Sequence, residues 1–192
     1  MDAKKWYPTD FKQALHNSLT EIEVTELLIE PPRFVYGVLM LPTVLKYFIG
    51  TDQSVDITRR MTRARITGYK MYQFSETSTP VIIATSDPQD VVEGMLVFGL
   101  DGHQRNCIYE LEGGTMDLVD VKVQIRLREG SLGTYEIRSG MMIDAGTFTW
   151  LGPTDELIPV EKMAWSLDDF LQGTFYDNIV RSQRRVSLDS SQ

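Results

Sequence analysis

Between residues 119 and 127 the chain reads Val-Asp-Val-Lys-Val-Gln-Ile-Arg-Leu, an unbroken alternation of apolar and polar side chains. A period of two suits a pleated strand, whose successive side chains point to opposite faces, and does not suit a helix. Val119, Val121, Val123, Ile125 and Leu127 are therefore expected on a buried face. Asp120, Lys122, Gln124, Arg126 and Arg128 are expected on the other, and Glu129-Gly130 closes the strand.

Around this strand the remaining signals alternate between helix and sheet without a regular repeat. Apolar Phe11, Leu15, Leu19, Ile22 and Leu27 recur at roughly helical spacing, and Pro31-Pro32 stops any helix there. Residues 33–39 are apolar up to a glycine and read as a buried strand. Pro42 and Gly50 frame a short helix containing Val44, Leu45 and Phe48. Strand-like composition follows at 63–74, 80–85 and 91–100, the last nearly all apolar and so expected to be central. Residues 102–112 form a short helix with Cys107, Ile108 and Leu111 on one face, ended by Gly113-Gly114. Near the end, Ser166 and Asp169 make a capping-box-like pair, Trp165 is placed to staple onto Phe170, and Phe170, Leu171, Phe175 and Ile179 give an apolar stripe. The pattern predicts an α+β fold, a mixed and partly closed β-sheet or barrel with flanking short helices. It divides as an N-terminal helical extension over 1–32, a main domain over 33–180 and a polar, mobile tail over 181–192.

Composition narrows the function classes. Hydrophobic residues make up 42% and charged residues 24% of 192, which suits a self-folding globular chain. A formal net charge of -8 opposes binding to phosphate backbones and anionic lipid, so neither nucleic acid nor membrane is an expected partner. Cys107 is the only cysteine, and with His16 and His103 as the only histidines, no disulfide, metal or other cofactor is expected. No apolar run reaches membrane-spanning length, and a cytoplasmic location is expected. Dinucleotide, phosphate-loop and nucleophile-elbow signatures are missing. Arg184-Arg185-Val186-Ser187 has the look of a basophilic kinase site, a match that arises often by chance.

A more specific pattern begins at Phe34-Val35-Tyr36-Gly37-Val38-Leu39, followed by Ala64-Arg65-Ile66-Thr67-Gly68-Tyr69, Val92-Glu93-Gly94-Met95-Leu96 and Ile108-Tyr109-Glu110-Leu111-Glu112-Gly113. In order and spacing these segments resemble the Tyr-Gly-x-Leu loop, second strand, Val-x-Gly-x-Leu strand and Leu-Asp-x-Phe-Glu-Gly motif of the γ-glutamylcyclotransferase-like, or avirulence-induced-gene-like, family. The resemblance covers about 33–150, and Trp165-Ser166-Leu167-Asp168-Asp169-Phe170 is similar to a C-terminal element of fungal-type members.

The resemblance implies a small-molecule substrate and a reaction in which the α-amine of a γ-glutamyl group attacks its own γ-carbonyl, giving 5-oxoproline and a released amine or amino acid. It implies Glu112 as the acid/base, and Tyr36, Gly37, Val38 and Leu39 as the substrate-binding loop, with backbone N–H groups turned towards a carboxylate or oxyanion. A glutamate screened at a helix end would have its pKa raised by desolvation. Two departures stand out: Tyr109 replaces the motif's Asp, and Met116 stands where the family places a Tyr. Both remove polar groups from around Glu112 and imply a greasier pocket and a bulkier substrate than glutathione-derived dipeptides. Val38, where Thr or Ser is frequent, removes a hydroxyl but leaves the backbone donors. Two alternatives share the same pocket: cyclisation or isomerisation of a specialised metabolite, or a non-catalytic binding module.

Overall fold

In the computed structural model, residues 3–77, 79–129, 136–159, 162 and 165–189 are described, with side chains for all of these except 136–139 and 184–189. Five strands close into a barrel in the order β1 (Arg33–Val35), β5 (Val91–Val97), β2 (Met61–Thr67), β6 (Asp117–Glu129) and β7 (Glu136–Thr149). All neighbours are antiparallel except β1 and β7, which meet in parallel at Arg33 and Gly146. Beside the barrel lies an antiparallel sheet of β3 (Tyr69–Phe74), β4 (Pro80–Ala84) and β8 (Leu157–Pro159), in the order β4-β3-β8.

The alternating stretch is β6, and it faces as its pattern demands. Val121, Val123 and Ile125 are buried, Val119 and Leu127 at its ends are partly so, and Asp120, Lys122 and Arg126 are exposed. Closing the barrel turns these residues inward with Phe34, Ile66, Val92, Leu96 and Ile143 to form one core cluster. Gly94 makes room for Phe34, because a Cβ there would lie 2.6 Å from the phenyl ring and 2.4 Å from the Val35 carbonyl. The expected single strand over 63–74 is in fact two. Gly68 adopts φ +74°, its N–H donates to Asp90 and its carbonyl accepts from Thr85, so the chain leaves the barrel there and enters the second sheet. Strand β5 pairs with β1 and β2, and because the barrel is closed no strand in it is more central than another.

A second core cluster lies between the barrel's outer face and the helices. It includes Phe11, Ala14 and Leu15 of α1 (Thr9–His16), Val44 and Leu45 of α3 (Pro42–Phe48), Met61, Met95 and Ile108. The N-terminal stretch is not one helix. The chain breaks at Asn17, whose side-chain amide donates to the carbonyls of Thr58, Arg59 and Met61. Thr20 then starts α2 (Glu21–Leu27) with a capping box to Glu23. The break resets the helical phase and leaves Ile22 72% exposed, against the expected stripe.

A similar phase reset occurs between α5 (Leu167–Leu171) and α6 (Thr174–Asp189). Ile179 is buried, but Phe175 is exposed, and Tyr176 packs on the core in its place. Ser166 caps α5 by accepting from the Asp169 N–H. Residues 181–189 continue α6, and 190–192 lie outside the described residues, as do the side chains of Arg184, Arg185 and Ser187. No helix among the described residues is long and apolar enough to cross a membrane.

Candidate active site

The Tyr36–Leu39 segment joins β1 to α3. Tyr36 ends the extended chain, Gly37 takes φ +61°, and Gly37–Met40 then form one 3-10 turn before Pro42 opens α3 at its first helical position. The first N–H groups of a helical turn have no partner within it, so this turn presents donors at its start. Gly37 is required twice: for its left-handed backbone, and because a Cβ would lie 2.8 Å from Pro80 Cγ at the start of β4. Leu39 is core, whereas Val38 borders open space.

Glu112 comes from α4 (Gly102–Glu112). Asp101 caps this helix in a capping box with Gln104, and Gly113 ends it with its N–H on the Tyr109 carbonyl. The Glu112 carbonyl then accepts from the Thr115 and Met116 N–H groups at 3.1 and 2.9 Å, which turns the chain into β6. The tight helix end leaves the Glu112 side chain between two hollows. One is a pocket of about 660 Å³, within the usual range for small-ligand sites and also bordered by Val38, Phe48, Phe74, Thr115 and Met116. The other is a hollow of about 20 Å³ bordered by Arg33, Tyr36, Leu39, Ile108, Glu112 and Phe148.

The electrostatics follow from these neighbours. Burial pushes the Glu112 carboxyl up to about 7. The Tyr36 hydroxyl donates to the Phe148 carbonyl at 3.0 Å and lies 3.3 Å from Met116 Sδ. Burial, reinforced by the Glu112 charge, pushes that phenol well above its ordinary value, so it stays a neutral donor. Met116 is buried, and Tyr109 is half exposed with its ring 6.1 Å from that of Phe148.

Of the residues singled out in the sequence, Glu112 and Val38 share the large pocket, while Glu112, Tyr36 and Leu39 share the small hollow. Gly37 borders neither and instead packs under Pro80. Phe48, Phe74, Glu76, Thr79, Thr115 and Glu156 also border the large pocket and escaped the sequence motifs. Glu156 reaches it because β8 pairs with β3 and the Ser75 N–H donates to the Glu156 carbonyl, a contact with no local sequence signal. Two other hollows hold a carboxylate whose pKa is lowered instead: Glu93, among Arg63, Arg65 and Arg126, by one of about 110 Å³, and Asp52, with Lys46 and Tyr47, by one of about 350 Å³. Among the described residues no His/Cys/Asp/Glu group is arranged to hold a metal ion.

The family model described as "Gamma-glutamyl cyclotransferase, AIG2-like" matches residues 33–167. No curated protein matches the chain. Among solved structures, the solution structure of an Arabidopsis thaliana protein is 18% identical, covers 84% of each chain and superposes with a TM-score of 0.46. A structure described as a gamma-glutamyl cyclotransferase is 14% identical, covering 80% of this chain and 98% of its own, with a TM-score of 0.43. An uncharacterized Homo sapiens protein is 15% identical over 72% of this chain and 83% of its own, at a TM-score of 0.41. With the family model spanning all five barrel strands and both candidate segments, the chain belongs to the γ-glutamyl cyclotransferase, AIG2-like family.

Proposed function

We propose that this chain is a γ-glutamyl cyclotransferase that closes a γ-glutamyl group to 5-oxoproline in the pocket of about 660 Å³, with Glu112 as its acid/base. The observation that carries the reading is a carboxyl whose pKa is pushed up to about 7, set in the wall of a pocket large enough for a small ligand. A carboxyl that titrates near neutrality can accept a proton and return it at the same pH.

In the reaction, the α-amine nitrogen bonds to the γ-carbonyl carbon while its proton passes to Glu112. The same proton is then returned to the departing nitrogen as the amide C–N bond breaks. No net proton, electron or water is consumed. The Tyr36–Leu39 turn, whose first N–H groups have no partner within the turn, is suited to hold the substrate's carboxylate or the oxyanion. Pocket closure by Phe48, Phe74 and Met116 keeps the carboxyl poorly hydrated, which is what raises its pKa.

The test is release of 5-oxoproline from γ-glutamyl amides by wild type and Glu112→Gln. The variant preserves shape but cannot carry the proton, and a fall of about a hundredfold in kcat is expected. Wild-type turnover by a folded Glu112→Gln protein would remove Glu112 from the mechanism. Tight binding of amides with no release by wild type would favour the non-catalytic reading.

A further inference from the structure

A hollow of about 350 Å³, bordered by the end of α3, by residues 50–53 and by α6, takes no part in the proposed reaction. Its volume falls in the range of small-ligand sites. Most of its polar side chains are already committed to the protein. Lys46 is 8% exposed and donates to the carbonyls of Gln53 and Val55 at 2.8 and 3.3 Å. The Asp52 carboxylate accepts from the N–H and hydroxyl of Ser54, the Thr51 hydroxyl accepts from Gln104 Nε2, and the Ser182 hydroxyl donates to the Ile179 carbonyl.

Two glutamines on the same border differ. Gln183 is 6% exposed, and its Nε2 donates to the Thr43 carbonyl at 3.0 Å. That bond fixes the amide and leaves Oε1 buried, with no hydrogen-bond partner among the described residues. Gln53 Nε2 is likewise buried and without a partner among them. An acceptor and a donor shut off in this way each cost the free energy of their desolvation, which a ligand that bonds both would offset.

The two groups specify that ligand. It must present an N–H to Gln183 and a C=O to Gln53, and a primary amide or a lactam carries both on one edge. A net charge on it is disfavoured, because Lys46 and Asp52, the one cation and the one anion among the described residues of the border, offset each other. Tyr47, half exposed at the same border, offers an aromatic ring to the rest of the molecule.

We infer that this hollow is a second ligand site, separate from the pocket of Glu112, which takes a small uncharged primary amide or lactam through Gln183 Oε1 and Gln53 Nε2. Neither atom is open to bulk water, and Gln53 as a whole is only partly buried, so its side chain turns aside to admit the ligand. The inference is independent of the chemistry proposed for Glu112.

Heteronuclear NMR titration of the full chain with 2-pyrrolidone tests it, with N-methylpyrrolidone as the probe that keeps the ring and the carbonyl but lacks the N–H. 2-Pyrrolidone should shift the backbone amides of Tyr47, Gly50, Gln53 and Gln183 with millimolar affinity, in keeping with so small a ligand. Loss of the bond to Gln183 should leave N-methylpyrrolidone about tenfold weaker. Gln53→Met removes the donor and should weaken 2-pyrrolidone by a similar factor, while the unliganded variant is no less stable than wild type because it buries no orphaned donor. Equal affinity of wild type for the two lactams overturns the inference without need of any variant. Shifts confined to the residues around Glu112, binding that survives Gln53→Met, or no shift at any soluble concentration overturn it as well.

Discussion

Glu112 links stability to catalysis through one proton. Its carboxyl titrates near 7 in the folded chain and at the ordinary 4.5 when unfolded, so the folded state holds the proton more tightly. Its contribution to stability is fully present below about 4.5 and is lost as pH rises through about 7. Glu112→Gln should therefore be more stable than wild type at pH 8, by about 1–3 kcal/mol, with the difference shrinking towards pH 5. Denaturant melts at both pH values measure this, and a pH-independent difference would contradict the burial argument. Wild-type kcat/KM should rise with pH through about 7, where the base form appears, and Glu112→Gln should lack that limb. Gly37 supplies a second test. Gly37→Ala meets both a left-handed backbone and Pro80, whereas Gly50→Ala, at φ +64° with open space around it, meets only the first. Gly50→Ala should lose about 1–2 kcal/mol and Gly37→Ala clearly more.

Among the elements, β6 and α4 bear the argument. Val123 is fully buried in the barrel, and Gln124 beside it hydrogen-bonds Arg65 at 2.6 Å on the outer face. Val123→Asp should cost several kcal/mol of unfolding free energy and Gln124→Asp under about 1. Equal losses would mean that the register is wrong by one residue, since a shift of one exchanges the two faces. Helix α4 ends at Glu112 because Asp101 sets its start and Gly113-Gly114 its stop. Asp101→Ala removes the cap and should cost about 1 kcal/mol. Periodicity and caps placed both elements within the sequence. They could not place Ile22 and Phe175, because a phase reset between two short helices is invisible to a stripe counted across the break.

For the whole molecule, the family match begins at residue 33, yet the core does not. Helix α1 contributes Phe11, Ala14 and Leu15, Asn17 and Leu19 tie the chain to the barrel, and Lys4 pairs with Asp168 in the first turn of α5. Deletion of residues 1–32 should therefore abolish cooperative unfolding by heat and expose apolar surface to a hydrophobic dye. A truncated chain that melts as sharply as the full one would show the N-terminal helices to be dispensable.

The alternation of β6, the glycine-bounded turn at Gly37 and the capped helix ending at Glu112 are local patterns, so residue order alone specified them. The mixed pattern pointed to a partly closed barrel, but which strands close it was not legible, because closure depends on β1 meeting β7 across more than a hundred residues. The family resemblance implied a raised Glu112 pKa, but not which residues would exclude water from the carboxyl. A carboxyl's pKa depends on how much water its neighbours exclude, and those neighbours arrive from β1, β3, β7 and the turn before α3 only when the chain has folded.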